Sequence, residues 1–267
     1  MTVRIETPSP HIAILRLCDP GGKNAITPEL VEAFPRAVEE LKGKEEVRVV
    51  IVAGNERFFS VGADFRTIPT LMERFQGRIP DSEVEIRAIE ALYESFLTLE
   101  TLPQPTIAAI AGSAVGGGLG IALLCDIRIA SLDAKLGANF SRLGIHPGMG
   151  ISYRLVQLLG EERAAEWLYT GRIFTGEEAE KAGLILKAVP REEVEKEALR
   201  LAEEIASNAP LSLRAIRETI LMIRRGAGRE EILRRESREQ SRLSKTYDAM
   251  EGISAMMAKR APRFEGR

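Results

Sequence analysis

The chain has few of the residues that most often carry metal or nucleophilic chemistry. It holds two cysteines and two histidines in 267 residues. Cys18 and Cys125 lie in apolar surroundings, and neither has a neighbour at metal-ligand spacing. That excludes a disulfide framework and a cysteine–histidine metal centre, and no metal is expected. Both thiols read as reduced core residues in a reducing compartment. Long hydrophobic runs are missing too. No apolar stretch reaches the length of a membrane span, and the start, Met1-Thr-Val-Arg-Ile-Glu6, lacks the apolar core of a secretion signal. The expectation is a cytoplasmic protein with no membrane partner.

Neither sign of charge is in excess. Lys and Arg number 37 and Asp and Glu 39, for a net charge of -2. The overall field therefore argues neither for nor against nucleic acid. Aromatics are scarce, at 5%, and that decides one local question. Arg224, Arg225, Arg229, Arg234, Arg235, Arg238 and Arg242 form a basic cluster with no aromatic residue interleaved. A stacking platform for bases needs such residues. Glu230 and Glu231 stand four positions before Arg234 and Arg235, a favourable helical pairing. The cluster reads as a solvated or intersubunit helix face, and no nucleic-acid partner is expected.

What is present suits a globular protein: 45% apolar and 28% charged residues. The length suffices for one large domain, or one domain with an appendage. Alternation predicts strands over 3–6 and 12–17. Thr27 is a good N-cap with Pro28 at the first helical position. Leu30, Val31, Phe34, Val38 and Leu41 continue at helical spacing, and Pro35 inside the pattern predicts a kink. The β-branched run 47–53 predicts a buried strand. Residues 54–64 read as a loop, and 82–99 as a helix. Short strands are expected over 127–130, 135–137 and 184–189, and short helices over 151–159, 164–169 and 177–182. After Arg191 the strand signals stop, and helices are expected over 192–207, 211–225, 229–246 and 250–259. Alternating β and α followed by an all-α tail predicts an α/β core, residues 1–190, and a helical C-terminal region, residues 191–267.

The stretch Thr106 to Asp126 organises the rest. It opens on a short apolar strand, Thr106–Ala111, and turns at Gly112-Ser113. Gly116-Gly-Gly118 then leads into an apolar helix expected over 119–125. Glycines inside a helix cost roughly 1 kcal/mol each relative to alanine. They are expected where backbone must approach something closely. A helix start aims free N–H groups and a positive dipole end at one point, which suits an anion or an oxygen becoming anionic. Ser60-Val-Gly-Ala-Asp64 has the same design: it follows a β run and carries small residues. One N–H from each loop, converging on one carbonyl oxygen, makes an oxyanion hole.

Three stretches resemble the signature of the enoyl-CoA hydratase/isomerase family, the crotonases. They are Lys23-Asn-Ala-Ile26, Arg57-Phe-Phe-Ser-Val-Gly-Ala-Asp-Phe65, and Ile110-Ala-Gly-Ser-Ala-Val-Gly-Gly-Gly-Leu119 with Cys125-Asp126. Gly144-Ile-His-Pro-Gly148, Leu168-Tyr-Thr-Gly171, Ala179-Glu-Lys-Ala-Gly-Leu184 and Lys259-Arg-Ala-Pro-Arg-Phe264 are similar to later landmarks, in order. The resemblance implies a spiral of ββα units with a C-terminal helical trimerisation region, assembled as a homotrimer or hexamer. It implies an acyl-CoA thioester as substrate and no cofactor beyond the coenzyme A that the substrate carries. By position, the N–H groups of Ala63 and Gly117 hold the thioester oxygen. Asn24, Ala25, Ser60, Val61 and Gly62 line the CoA path. Asp64, Gly116, Gly120 and Phe140 complete the substrate-facing set.

The chain departs from the pattern where the hydratases carry two glutamates. Those slots align with Gly120 and Phe140, and a third acidic slot of the family aligns with Gly148. The expectation is an enolate-stabilising enzyme that is not an efficient hydratase. An isomerase, thioester hydrolase, decarboxylase, C–C lyase or non-catalytic acyl-CoA-binding protein shares the same binding half. His146 is the first candidate for a replacement acid or base, since histidine titrates near neutrality. Asn139, Ser141, Arg142, Glu73, Asp81, Glu83, Glu85 and Tyr93 are further polar candidates.

Overall fold

The computed structural model describes residues 2–63 and 83–267. Strands β1 (Val3–Ser9) and β2 (Ile12–Leu17) form a hairpin, followed by the short β3 (Ala25–Ile26). Helix α1 (Pro28–Lys42) starts where expected: the Thr27 hydroxyl accepts from the Leu30 N–H at 3.3 Å. It continues as one helix through Pro35. Strand β4 (Val49–Ala53) comes next, then β5 (Phe58–Ser60) and β6 (Gly62–Ala63). Helix α2 (Glu83–Leu97) precedes β7 (Thr106–Ile110), β8 (Ser113–Val115), α3 (Gly117–Leu124), β9 (Ile127–Ser131) and β10 (Leu136–Gly137). Helices α4 (Ile151–Leu159), α5 (Glu161–Thr170) and α6 (Gly176–Ala182) lead to β11 (Lys187–Val189). Four helices close the chain: α7 (Val194–Ala206), α8 (Pro210–Arg224), α9 (Arg229–Leu243) and α10 (Tyr247–Met257).

The largest sheet has the order β1-β2-β4-β7-β9-β11. Only the β1–β2 pair is antiparallel. Its central strands are buried on both faces, as parallel strands under crossovers must be. Val50 and Val52 of β4 face one core cluster, with α1 and α3, while Val49, Ile51 and Ala53 face the other. Helix α7 closes that second face with Val194, Ala198, Ala202 and Ala206. The helix that follows residue 190 is thus packed on the sheet.

Two smaller sheets correct the reading of 54–64 as a loop. Strand β5 pairs with β8, β8 pairs with β10, and β6 pairs with β3. Each is two or three residues long, too short to show a hydrophobic period. Their partners are distant in sequence, so local pattern had nothing to read. The organiser stretch is tied at both ends. Asp126 Oδ2 accepts from the Thr106 N–H and hydroxyl, each at 2.9 Å, and the Asp126 N–H donates to Thr106 Oγ1 at 2.9 Å. Arg217 and Arg224 of α8 bind the same carboxylate at 2.8 and 3.1 Å.

Candidate active site

Two loops meet backbone against backbone. Gly62 has φ +78°, and a methyl group placed on it would lie 2.7 Å from the Val115 carbonyl oxygen and 2.9 Å from the Gly117 nitrogen. Only glycine fits that conformation and that gap. The residues before it hold the loop in place. Ser60 is fully buried, and its hydroxyl accepts from the Gly62 N–H at 3.2 Å. The half-buried Val61 donates its N–H to the Lys23 carbonyl at 3.2 Å. Asn24 is fully buried at φ 51°. Its Oδ1 accepts from the Asp19 N–H, and its Nδ2 donates to the Phe58 and Phe59 carbonyls. Asn24 and Ser60 therefore act as clasps. These hydrogen bonds are made within the protein and fix the backbone of both loops. Ala25 is also buried and pairs with Gly62 across β3–β6.

The second loop starts helix α3 two residues earlier than expected. Gly116, at φ 56° and ψ -126°, is the N-cap, and Gly117 is the first helical residue. The Gly116 N–H donates to the Gly137 carbonyl at 2.8 Å. The first intrahelical bond is Gly120 N–H to Gly116 O, at 3.1 Å. The N–H groups of Gly117, Gly118 and Leu119 thus have no intrahelical acceptor. A methyl on Gly118 would overlap the Ser60 carbonyl, so the helix start presses on β5. On Gly117 a methyl would meet Ile26 Cδ1 at 2.5 Å and Met149 Sδ at 3.6 Å. Gly117 is half-buried and Ala63 is exposed. Ala63 follows the glycine whose Cα lies 3.7 Å from that same methyl position. The structure brings Ala63 and Gly117 onto two touching loops, at the positive end of a helix walled by apolar side chains.

None of Gly120, Phe140 and Gly148 carries an acidic group. Gly120 is buried, and a methyl there would lie 3.3 Å from both Met149 Cβ and Ile151 Cδ1. Phe140 is half-buried, its Cζ 3.8 Å from a methyl on Gly116, with Asn139 Oδ1 at 3.9 Å from the same point. A methyl on Gly148 would overlap the Tyr93 hydroxyl. Ser141 and Arg142 turn away. Ser141 Oγ lies 2.7 Å from the methyl position of Gly171, and Arg142 Nε donates to the Thr170 carbonyl at 3.0 Å. His146 is exposed, and its Nδ1–H donates to the Pro147 carbonyl at 2.7 Å. That bond holds the ring on its own loop. Glu83 is exposed and pairs with Arg87 at 3.8 Å. Asp64, Glu73, Asp81 and the Glu85 side chain lie outside the described residues.

Ile26 and Met149 form the walls beside Gly117, a role that neither the signature stretch holding Ile26 nor the sequence around Met149 showed. Met149 is 3% exposed at φ 54°, an unusual conformation for a residue with a Cβ. Its only sequence signal is a glycine on either side. Burial pushes the Tyr93 phenol above its ordinary range. Burial, with Asp126 next door, pushes the Cys125 thiol up to about 12, so it is no nucleophile near neutrality. Among the described residues no group of three or more His, Cys, Asp or Glu side chains stands ready to hold a metal.

The fold is shared with known proteins. A family model described as enoyl-CoA hydratase/isomerase matches residues 8–267. A putative enoyl-CoA hydratase of Thermus thermophilus is 34% identical over 97% of this chain and 100% of its own. The 2,3-dehydroadipyl-CoA hydratase of Escherichia coli is 29% identical over 100% of both chains. Among solved structures, an enoyl-CoA hydratase of Bacillus anthracis matches with a TM-score of 0.88 and 33% identity, covering 100% of both chains. A probable enoyl-CoA hydratase/isomerase of Mycobacterium abscessus matches with a TM-score of 0.89 and 31% identity, again over 100% of both.

Proposed function

The chain belongs to the enoyl-CoA hydratase/isomerase family, and on that premise we propose that it stabilises a thioester enolate between the N–H groups of Ala63 and Gly117. The observation that carries the reading is the contact of Gly62 with Gly117, which sets the two loops side by side. Donors aimed at the thioester oxygen bind the enolate more strongly than the neutral ester, and only such a difference accelerates a reaction. The backbone of residues 60–62 lines the CoA path in this reading. Phe140, Ile26 and Met149 make the acyl end apolar. The subunits assemble as a homotrimer or hexamer. No helix among the described residues is long and apolar enough to cross a membrane, and two cysteines without a disulfide support a reducing compartment such as the cytoplasm.

The chain is not an efficient hydratase in this reading. Adding water across a double bond needs groups that deprotonate the water and protonate carbon. Gly120 and Phe140 supply neither. General acid–base groups contribute roughly 100- to 10,000-fold each. Purified protein mixed with crotonyl-CoA should remove the enoyl absorbance at least about 100-fold more slowly than a relative bearing both glutamates. Rapid hydration would show that another group already handles the water. Isomerisation, decarboxylation and C–C cleavage draw on the same enolate, and thioester hydrolysis draws on the same two donors through a tetrahedral oxyanion. Mass spectrometry of varied acyl-CoAs in deuterated water separates these from mere binding. A working enolate site incorporates deuterium at the α-carbon, a hydrolase releases free CoA without it, and a binding protein does neither.

A further inference from the structure

The Tyr93 hydroxyl has no hydrogen-bond partner among the described residues, and it fills the space that any side chain on Gly148 would need. Three contacts fix where it stands. Tyr93 projects from α2 and packs, half-buried, against the main core cluster. Gly148 joins directly to Met149. Met149 lies against both Gly117 and Gly120, with Sδ 3.6 Å and Cβ 3.3 Å from their respective methyl positions. The phenol is therefore one residue removed from the wall of the oxyanion site. Ile26, Met149 and Phe140 give that wall no hydrogen-bonding group, so the phenol is conspicuous there.

We propose that Tyr93 sets acyl specificity: its hydroxyl donates a hydrogen bond to an oxygen carried on the acyl group beyond the thioester carbonyl. This rests on the acyl-CoA reading of the site. A half-buried O–H without a partner is a group that binding must satisfy or leave stranded. An acyl oxygen satisfies it. A plain alkyl chain displaces the water around it and offers nothing in return. With its ionisation suppressed by burial, the phenol remains a donor throughout the neutral range. It therefore selects acceptors such as a keto or hydroxyl oxygen. Glycine at 148 is required because any larger residue would take the phenol's place.

The test uses acetoacetyl-CoA and butyryl-CoA, which differ by one keto oxygen, titrated calorimetrically into wild type and Tyr93→Phe. Wild type should favour acetoacetyl-CoA. Tyr93→Phe should weaken acetoacetyl-CoA by roughly 10- to 100-fold, the worth of one buried hydrogen bond, and leave butyryl-CoA unchanged. Gly148→Ala, which keeps the phenol but displaces it, should lower the preference as well. Equal weakening of both esters, or no change in either, would overturn the role of Tyr93 while leaving the acyl-CoA site standing. Failure of folded wild type to bind either ester would overturn the acyl-CoA reading itself. A circular-dichroism melt of each variant, matching wild type, excludes misfolding as the cause of a loss.

Discussion

At the scale of single residues, the glycines divide into those that make room and those that expose an N–H. Gly62 and Gly118 make room, since a methyl on either would strike backbone across the contact. Gly117 exposes an N–H at the first position of a helix, where proline is tolerated because no intrahelical bond is lost. Gly117→Pro therefore removes the N–H that the oxyanion assignment needs, and its ring also adds bulk to the contact with Gly62, so the result is read on folded protein. Its ring would press on the Cδ1 end of Ile26, a flexible contact. The protein should fold, and acyl-CoA turnover should fall about 100- to 1000-fold or more, the cost of one lost oxyanion donor. The ultraviolet absorbance of enolised acetoacetyl-CoA reads the same loss without any acid or base, because that ester ionises readily at its α-carbon. Wild-type turnover and an undiminished enolate band in folded Gly117→Pro would rule the assignment out. At this scale the sequence was informative about backbone and poor about side chains. Repeated glycine marks close approach whatever surrounds it. Nothing in the spacing of Ile26, Tyr93 and Met149, more than a hundred positions apart end to end, shows that they share one wall. Asn24 and Ser60 were legible as special, but their inward clasping depends on where strand β5 runs.

At the scale of elements, long periodic segments were legible and short paired ones were not. Helix α1 announced itself through Thr27, Pro28 and an apolar stripe, and β4 through an unbroken β-branched run. Strands β5, β6, β8 and β10 owe their existence to partners elsewhere in the chain. Helix α9 shows the same limit. Arg235 does not pair with Glu231 one turn back; its Nε donates to Thr219 Oγ1 on α8 at 3.0 Å. Tertiary acceptors won over the local pair, which is worth only a few tenths of a kcal/mol. The junction between α8 and the sheet offers a quantitative test. Asp126 holds Thr106, Arg217 and Arg224 together, and the Arg217 side chain is 3% exposed. Asp126→Ala leaves that guanidinium buried without its counter-ion. Breaking a buried pair from one side costs about 3–5 kcal/mol. Urea unfolding should show a loss of that size, because the Arg217 charge has no route to water. A loss below about 1 kcal/mol would mean that the carbonyls of Glu100 and Leu102, which Arg217 also contacts, suffice to hold it.

At the scale of the whole molecule, an apolar groove among the described residues lies on the C-terminal helices and includes no residue of the candidate site. Helices α8, α9 and α10 enclose a groove of about 910 Å³ lined by Ile216, Ile220, Ile223, Leu243, Ile253 and Met256. Several of these side chains are well exposed, Ile253 at 58% and Met256 at 74%. So continuous an apolar surface is rarely left to water, because each Å² uncovered costs roughly 25 cal/mol. The site loops have the opposite character: small residues, close backbone contacts and little apolar exposure. On the proposed reading the two surfaces serve different ends, chemistry at the glycines and association at the C-terminal helices. The family reading gives the occupant of the groove as other copies of the same chain, in a trimer or hexamer. Light scattering on wild type at micromolar concentration should return three or six subunits. Ile220→Asp with Ile253→Asp places two charges in the groove, where each must be desolvated for subunits to meet. That variant should dissociate while keeping its helical circular dichroism, since both side chains are already half exposed in the isolated subunit. A wild-type monomer would refute the assembly. An unchanged oligomer in the double variant would move the interface elsewhere and leave the exposure of this groove without a partner to explain it.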